Sequence, residues 1–207
     1  MAKRAAVTAA ARQRILEAAL DEIALAGESL TLQGVAERAD LALRTLYNHF
    51  PSRDTLLSAA FGYHFEQTRA AVEAVSVPDA APDEQLRHVV GAYYSRYATM
   101  GQRLGALLSL RGFPELDEEI QAIRGWRRQV LHRIVQRARR VGVLAMPERM
   151  ALALVFTMTS YASWEILVRE LHGDTAKAAK VGADALCATL FHATAVRIPV
   201  NPYGRSD

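Results

Sequence analysis

Cysteine, long apolar runs and net charge are all scarce in this sequence of 207 residues. The single cysteine, Cys187, excludes a disulfide framework and any zinc site built from several thiolates, and it fits a reducing cytoplasm. The segment 1–14 lacks the apolar core of a signal peptide. The longest charge-free apolar stretch, 150–164, is shorter than the ~20 residues of a membrane span. We therefore expect a cytoplasmic protein without membrane contact.

Enzyme and metal motifs are missing as well. The chain contains no G-x-S-x-G elbow, phosphate-binding loop or H-E-x-x-H pair, and its six histidines are scattered without metal-ligand spacing. We therefore expect no catalytic activity, no metal and no cofactor. A hydrophobic content of 51% still supports a large core, so a disordered chain is excluded.

Strand patterns are also absent, and the apolar residues instead recur at helical spacing. Ile15, Leu16, Ala19, Leu20 and Ile23 form one such stripe, which stops at Gly27. Continued along the chain, this periodicity predicts an all-α fold of about nine helices, including one helix from Pro147 to about 171. The clearest composition break is 76–82, which is too short to let two parts swing freely.

Two short predicted helices, 32–39 and 43–50, carry the functional information. Thr31 can cap the first, and Asp40 stands at the tight turn between them, where its side chain tolerates a left-handed backbone. This helix-turn-helix spacing is the geometry that places a second helix in the DNA major groove. Packing Val35, Ala36 and Leu46 inward leaves five side chains available for phosphates and base edges, namely Arg44, Thr45, Tyr47, Asn48 and His49.

The segment from Thr45 to Arg53, TLYNHFPSR, followed by Leu56-Leu57, resembles the hallmark of the TetR family of bacterial transcriptional regulators. The similarity covers about 12–57 and includes the Thr-x-x-x-Val-Ala pattern at 31–36. It departs from the family at Asp40, where glycine is usual, and at Ala42, where a capping serine is frequent. The resemblance implies a helix-turn-helix domain at 1–52 and a helical ligand-binding and dimerisation domain at 53–207.

The resemblance also extends the set of candidate DNA contacts. The family pattern favours phosphate contacts for Tyr47 and His49, although both could instead be core contacts of their helix. Arg53 could clamp a phosphate or remain a solvated charge, and Leu43 could touch a thymine methyl. The complete candidate set is Thr31, Gln33, Leu43, Arg44, Thr45, Tyr47, Asn48, His49 and Arg53.

Charge is balanced in this region, since 1–70 contains eight basic and eight acidic residues. Affinity for DNA must therefore come from the placement of individual side chains, including the basic tail from Lys3 to Arg14. Few phosphate contacts per subunit favour binding as a dimer to a palindromic double-stranded operator.

The middle helices are rich in aromatic residues, which could form a ligand chamber or simply a core. Arg127 falls on the apolar stripe of its helix, where a buried charge needs a partner. That partner could be Glu115, Glu118 or Glu165, or an anionic or carbonyl group of a ligand. The candidate residues for an unidentified small molecule are Phe61, Phe65, Tyr93, Tyr97, Leu104, Trp126, Arg127, Val130, Phe156 and Trp164.

The last two predicted helices are candidates for a homodimer interface, because the resemblance implies a four-helix contact there. Small residues on the final helix would allow another helix to approach closely; the alternative is that both faces are buried within one subunit. The candidate interface residues are Val155, Ala162, Ala178, Gly182, Ala185 and Thr189.

Together, these features predict a repressor that a small molecule releases from its operator. Two alternatives stay open. One is a DNA-binding regulator that responds to a protein partner or acts as an activator, and the other is a helical binding protein that has lost DNA binding.

Overall fold

The computed structural model describes residues 2–75, 80–110 and 114–192, except for the side chains of 2–6, 102 and 114–116. The all-helical prediction is confirmed, because the described residues form ten α-helices and no strand beyond one isolated bridge between Leu144 and Phe191. Their bounds are α1 Ala2–Ala26, α2 Leu32–Arg38, α3 Leu43–His49, α4 Arg53–Ala74, α5 Pro82–Met100, α6 Gln102–Ser109, α7 Pro114–Arg140, α8 Glu148–Met158, α9 Tyr161–Glu170 and α10 Thr175–Leu190.

Helices α1 to α3 form one small bundle around the apolar stripe of α1. Ile15 and Ile23 are fully buried there, together with Val35 of α2 and Leu46 of α3. Helix α1 ends where Gly27 adopts a φ of +54°, the left-handed conformation that closes many helices.

The predicted cap of α2 is present, and α4 also begins with a side-chain cap. The Thr31 hydroxyl accepts a hydrogen bond from the Gly34 amide at 3.0 Å. Ser52 and Thr55 form a reciprocal capping box that starts α4. Ala42, the residue before α3, provides no side-chain cap, as expected from the missing serine. Asp40 has a φ of +52°, so the turn between α2 and α3 uses the left-handed backbone predicted for it.

The remaining helices form a larger bundle in which α5 and α10 pack closely together. Gly182 of α10 permits this approach, because a Cβ atom there would lie 3.2 Å from the Tyr94 hydroxyl oxygen of α5. Helix α4 packs against α1, α5 and α7, so it belongs to both bundles.

One predicted helix is in fact two, which accounts for the difference from the expected number. The apolar run from Glu148 to Glu170 breaks at Thr159 and Ser160, and α8 and α9 meet there at an angle of 59°. The Thr159 hydroxyl donates to the Val155 carbonyl at 2.7 Å, and Ser160 caps α9 through the Ser163 amide. Hydroxyl side chains offer the backbone such alternatives to continued helix.

Candidate nucleic-acid interface and central cavity

Helix α3 presents a polar, exposed face. Arg44, Tyr47 and Asn48 are exposed, and 48% of the Tyr47 surface is accessible. Thr45 and His49 are half-buried. These residues therefore lie together along one helix that is long enough to enter a major groove.

The other candidate contacts lie beside this helix. Thr31 and Gln33 are exposed at the start of α2, where the Gln33 amide donates to Glu37 at 2.6 Å. Leu43 is half-buried and packs against the core, which leaves only part of its side chain for a base.

Most basic side chains of the N-terminal bundle already form ion pairs, hydrogen bonds or ring contacts with other residues of the chain. Arg38 pairs with Glu22 at 3.1 Å, and Arg12 lies over the Phe50 ring at 5.1 Å. Among the basic residues between 7 and 70 with described side chains, Arg44 alone has no hydrogen bond, ion pair or ring contact. Lys3 and Arg4 of the predicted basic tail lie outside the described side chains.

Two arginines fix the position of α3 and α4 by binding backbone carbonyls. Arg14 of α1 donates to the carbonyls of Ala39 and Asp40, at 2.5 and 3.1 Å, and so holds the turn that orients α3. Arg53 donates to the carbonyl of Glu28, which joins the start of α4 to the end of α1. Arg53 therefore has a structural contact that neither sequence-based alternative included.

A cavity of about 660 Å³ lies between α4, α5, α6, α7, α8 and α9. This volume falls within the range of roughly 300–1,000 Å³ typical of small-molecule sites. Eight of the ten predicted ligand contacts line it, namely Phe61, Phe65, Tyr93, Tyr97, Leu104, Trp126, Arg127 and Phe156.

The other two predicted contacts lie elsewhere. Val130 faces a second cavity of about 320 Å³, since it follows Arg127 around the α7 helix and turns away from the first. Trp164 lies behind the cavity wall, packed against Tyr97 and Tyr161 with ring centroids 6.0 and 5.2 Å apart. Neither residue contacts the main cavity.

Several lining residues were not predicted from the sequence. His64 and Thr68 continue the Phe61 and Phe65 face of α4, so the helical spacing could have identified them. Others come from α6, from α7, from the break between α8 and α9 and from α9 itself, and comprise Gly105, Leu108, Ser109, Ile120, Ile123, Arg124, Ser160, Tyr161, Ala162 and Glu165.

Arg127 lies at the cavity wall, with its guanidinium group 4.2 Å from the centroid of the Phe156 ring and 5.6 Å from that of Tyr93. Its Nη2 donates to the Phe156 carbonyl and, at 2.8 Å, to the Thr159 hydroxyl. Its buried Nε has no hydrogen-bond partner. No carboxylate among the described residues pairs with Arg127, and the side chain of Glu115 lies outside them.

Arg127 belongs to a set of side chains that donate to the backbone carbonyls at the C-terminal end of α8. The last carbonyls of a helix have no partner within the helix. Here the Tyr94 hydroxyl donates to the Met158 carbonyl at 2.7 Å, and the Tyr97 hydroxyl donates to that of Thr159 at 2.8 Å. The break between α8 and α9 is thus held by α5 and α7, which also form the cavity.

Two further polar groups of the cavity lining, the Tyr93 hydroxyl and the His64 ring, have pKa values that are shifted by burial. The Tyr93 hydroxyl is buried without a hydrogen-bond partner, and burial raises its pKa. Burial, assisted by the nearby charge of Arg96, lowers the pKa of His64 from 6.5 to about 4. Arg96 Nη2 lies 3.3 Å from His64 Nδ1, and since arginine only donates, the neutral ring carries its proton on Nε2.

The predicted dimer residues divide into two groups. Val155, Ala178 and Gly182 are buried within their own subunit, so they cannot contact a partner while this packing persists. The small size of Ala178 and Gly182 suits the internal contact between α10 and α5, whereas Val155 is buried in α8, so none of the three fits the predicted interface. Exposed positions are left to the other three residues, Ala162, Ala185 and Thr189.

Exposed apolar side chains occur on the same helices. Met150 and Leu154 of α8 are accessible over 57% and 37% of their surface, Ile166 of α9 over 55% and Val181 of α10 over 41%. Exposed aliphatic groups concentrated on neighbouring helices are typical of a surface that contacts another protein.

Polar contacts join the small N-terminal bundle to the walls of the cavity. Arg103 of α6 pairs with Asp21 of α1 through Nε at 2.6 Å. The Tyr63 hydroxyl of α4 donates to Glu17 of α1 at 2.9 Å. A change in the position of α4 or α6 would therefore reach α1 directly.

Neither a membrane-spanning helix nor a metal cluster occurs within the described ranges. No single helix there is long and apolar enough to cross a membrane; α8 and α9 reach the required length and hydropathy only as a bent pair. The same ranges contain no group of three or more histidine, cysteine, aspartate or glutamate residues placed to hold a metal ion.

Sequence comparison finds similarity to known proteins in the N-terminal bundle. Residues 15–60 match the model for bacterial regulatory proteins of the tetR family. Over 81 residues the chain is 40% identical to the HTH-type transcriptional repressor KstR of Mycolicibacterium smegmatis, which is 39% of this chain and 40% of that protein. The KstR repressor of Rhodococcus jostii is 46% identical over 57 residues, or 27% of each chain. The chain thus aligns with less than half the length of these curated relatives.

The similarity to solved structures includes the larger bundle as well. A tetR-family regulatory protein from Rhodococcus RHA1 superposes with a TM-score of 0.75 at 22% identity, over 88% of this chain and 98% of that one. The regulator FadR of Bacillus subtilis, solved in complex with stearoyl-CoA, gives 0.67 at 19% identity, over 86% and 98%. At these identities the similarity shows a shared fold.

Proposed function

We propose that this chain, whose N-terminal domain is that of the tetR family of bacterial regulatory proteins, is a cytoplasmic repressor that a small molecule releases from its operator. The observation that carries the proposal is that the DNA-binding face and the cavity are both connected to helix α1. Helix α3 presents an exposed polar face, and the walls of a cavity of about 660 Å³ rest on the same helix, α1, that positions α3.

Release follows from the way the cavity walls meet the DNA-binding domain. Phe61 and Phe65 place α4 at the cavity, and Leu104 and Gly105 place α6 there. Both helices pack against α1, so a ligand that displaces either one shifts α1 and, through α2 and the Arg14 contacts to the turn, α3. Such a switch requires the ligand to bind the released state more tightly, with a coupling of typically ~1–3 kcal/mol.

A homodimer supplies the second recognition helix that a palindromic operator needs. The exposed apolar groups of α8, α9 and α10 offer a surface that two copies can share about a two-fold axis. Two α3 helices would then read half-sites about 34–36 Å apart, one turn of DNA. Ala185 and Thr189 of α10 are exposed as well and could take part in the contact.

The cavity separates this proposal from the first alternative, a regulator without a small-molecule ligand. A tightly packed core would have favoured that alternative, whereas the space here suits a small molecule. FadR of Bacillus subtilis, which shares the fold, has been solved in complex with stearoyl-CoA, which supports a small-molecule ligand for this fold.

Selection from a pool of random duplexes tests DNA binding without any assumption about the operator sequence. We expect the full-length protein to enrich a palindromic sequence and to bind it as a dimer. Failure to enrich any sequence would support the alternative of a helical protein that has lost DNA binding.

Arg44 is the best residue to substitute in this test, because it forms no hydrogen bond or ion pair with the described residues of the chain. We expect Arg44→Ala to weaken binding to the selected duplex and to lower the salt dependence by about one ion per half-site if Arg44 contacts a phosphate. Arg69→Ala is the matched control, because Arg69 pairs with Glu66 on α4, away from α3. Equal losses for both variants would contradict the assignment of α3.

A further inference from the structure

The buried polar groups at the cavity wall indicate the chemistry of its ligand, provided that the cavity is the ligand site proposed above. Most hydroxyl groups around it already donate within the protein. Thr68 donates to the His64 carbonyl at 3.1 Å, Ser109 to the Gly105 carbonyl at 2.8 Å, and Ser160 to the Ser163 hydroxyl at 3.1 Å. These groups leave few hydrogens for a ligand.

Among the lining residues, Arg127, Tyr93 and His64 have donors near the α4–α5–α7 wall that lack an acceptor. Arg127 Nε is buried and unpartnered, and the Nη1 hydrogens of Arg127 also have no acceptor among the described residues. The Tyr93 hydroxyl is buried without a partner on a side chain that is 1% exposed. His64, neutral with its proton on Nε2, adds a donor for which no acceptor occurs in the described chain.

The positive charge of Arg127 also lacks a partner, because no negatively charged group among the described residues contacts it. Its contacts are a backbone carbonyl, a hydroxyl group and two aromatic rings, all of them formally neutral. A partly buried guanidinium without a carboxylate is costly, and an anion supplied by a ligand would remove that cost. Carboxylates match the guanidinium geometry and accept from it in pairs.

The rest of the cavity is apolar and aromatic. The rings of Phe65 and Trp126 pack edge to face with their centroids 5.4 Å apart. The rings of Trp126 and Tyr93 pack in the same way, with centroids 6.5 Å apart. The two charged residues nearest the outside, Arg124 and Glu165, are exposed and of opposite sign. The unbalanced charge therefore lies inside, at Arg127.

We infer that the ligand is an apolar carboxylic acid, with its carboxylate on Arg127 and Tyr93 and its hydrocarbon body against Phe65 and Trp126. An organic cation finds no buried carboxylate among the described lining residues. A neutral apolar molecule would leave Arg127 Nε and the Tyr93 hydroxyl without acceptors.

Matched fluorescent probes test this assignment on the intact protein. We expect 1-pyrenebutanoic acid to bind at least about tenfold more tightly than 1-pyrenebutanol at pH 7.5, since hydrogen bonds between charged groups are the stronger kind. Dodecanoic acid should displace the bound probe, and dodecanol should do so poorly. Equal affinities within either pair, or no saturable binding by either acid, would overturn the inference.

Two variants locate the carboxylate. Arg127→Gln keeps a polar amide on α7 but removes the charge and the Nη2 donor, so the acid and the alcohol should then bind within about twofold of each other. Tyr93→Phe should weaken acid binding several-fold and leave thermal stability unchanged or raised, because the lost hydroxyl had no partner. A preference for the acid that survives Arg127→Gln would overturn the inference even if that variant is less stable.

Tyr94→Phe is the control for Tyr93→Phe. The Tyr94 hydroxyl bonds to the Met158 carbonyl and does not line the cavity, so its loss should lower stability and leave acid affinity unchanged. Binding to the selected DNA duplex separates the two levels of the account. If the acid binds as expected but DNA is not released, the ligand chemistry stands and the switch fails; if DNA binds normally but no acid binds, only the ligand chemistry fails.

Discussion

At the scale of single residues, His64 combines a polar ring with a buried position in the cavity wall. Its pKa is lowered to about 4 because burial and the charge of Arg96 oppose protonation. In the unfolded chain the ring regains its ordinary pKa of 6.5. Below pH 6.5 the unfolded state therefore binds a proton that the folded state excludes, and the free energy of unfolding falls as the pH drops toward 4.

We expect His64→Gln to flatten this pH dependence. In the wild type His64 should remove up to about 3 kcal/mol of stability between pH 6.5 and pH 4, and the variant should lose that component. Urea unfolding at several pH values measures it, with the exposed His192→Gln as the control that keeps the wild-type slope. A slope unaltered by His64→Gln would show that His64 is not the group responsible.

The sequence identified much of the cavity at this scale because aromatic side chains recur on the inward stripes of several helices. Phe61, Phe65 and Tyr97 follow directly from helical spacing. Trp164 was predicted with them as another aromatic residue of the middle helices, but it packs behind Tyr97 and Tyr161. Which of two buried aromatic rings borders a cavity depends on tertiary packing and leaves no trace in the periodicity of one helix.

At the scale of elements, the caps explain how the short helices are stabilised. A seven-residue helix such as α2 or α3 gains little from its own hydrogen bonds, so its termini matter. Thr31 supplies a cap to α2, whereas Ala42 supplies none to α3.

We expect Ala42→Ser to stabilise the protein by about 0.5–2 kcal/mol, because Ala42 already has the extended backbone of a capping residue. Thr31→Ala should destabilise it by a similar amount, because the bond to the Gly34 amide is lost. Chemical denaturation of both variants measures the two changes. No gain from Ala42→Ser would mean that a serine there cannot reach the free amides of α3.

Two errors of the sequence interpretation also belong to this scale. The apolar run of α8 and α9 has helical periodicity throughout, and its break depends on hydroxyl groups whose local hydrogen bonds compete with the helix. The small residues Ala178 and Gly182 correctly indicate a close helix contact. Periodicity cannot distinguish a contact within the subunit from one between subunits, and here α5 of the same chain occupies that face.

At the scale of the whole molecule, the account depends on contacts between the two bundles. The pair formed by Arg103 and Asp21 links the α6 wall of the cavity to α1. Both side chains are about one-third exposed, so the pair adds at most about 1 kcal/mol to stability. Its main consequence would be mechanical, since it makes α1 follow α6.

We expect Asp21→Asn to retain the affinities for operator and for 1-pyrenebutanoic acid but to reduce the coupling between them by about 0.5–2 kcal/mol. Asp184→Asn is the matched control, because Asp184 pairs with Arg87 between α10 and α5 at similar exposure, within the larger bundle. Titrations of each variant with DNA, in the presence and absence of the acid, measure the coupling. An equal reduction in the control would assign the effect to general loosening.

The division of the chain at 52 and 53 remains a prediction at this scale. Helix α4 begins at Arg53, yet the match to the tetR-family model continues to residue 60. Because α4 packs against α1 as well as α7, it serves both bundles, and a boundary drawn along the sequence cannot express that shared role.

Reciprocal titration of the intact dimer tests the central claim most directly. Operator affinity is measured with and without saturating 1-pyrenebutanoic acid, and acid affinity with and without the operator. The account predicts that each ligand weakens the other by the same factor, roughly 5- to 150-fold. An operator affinity that does not change when the cavity is saturated would contradict it.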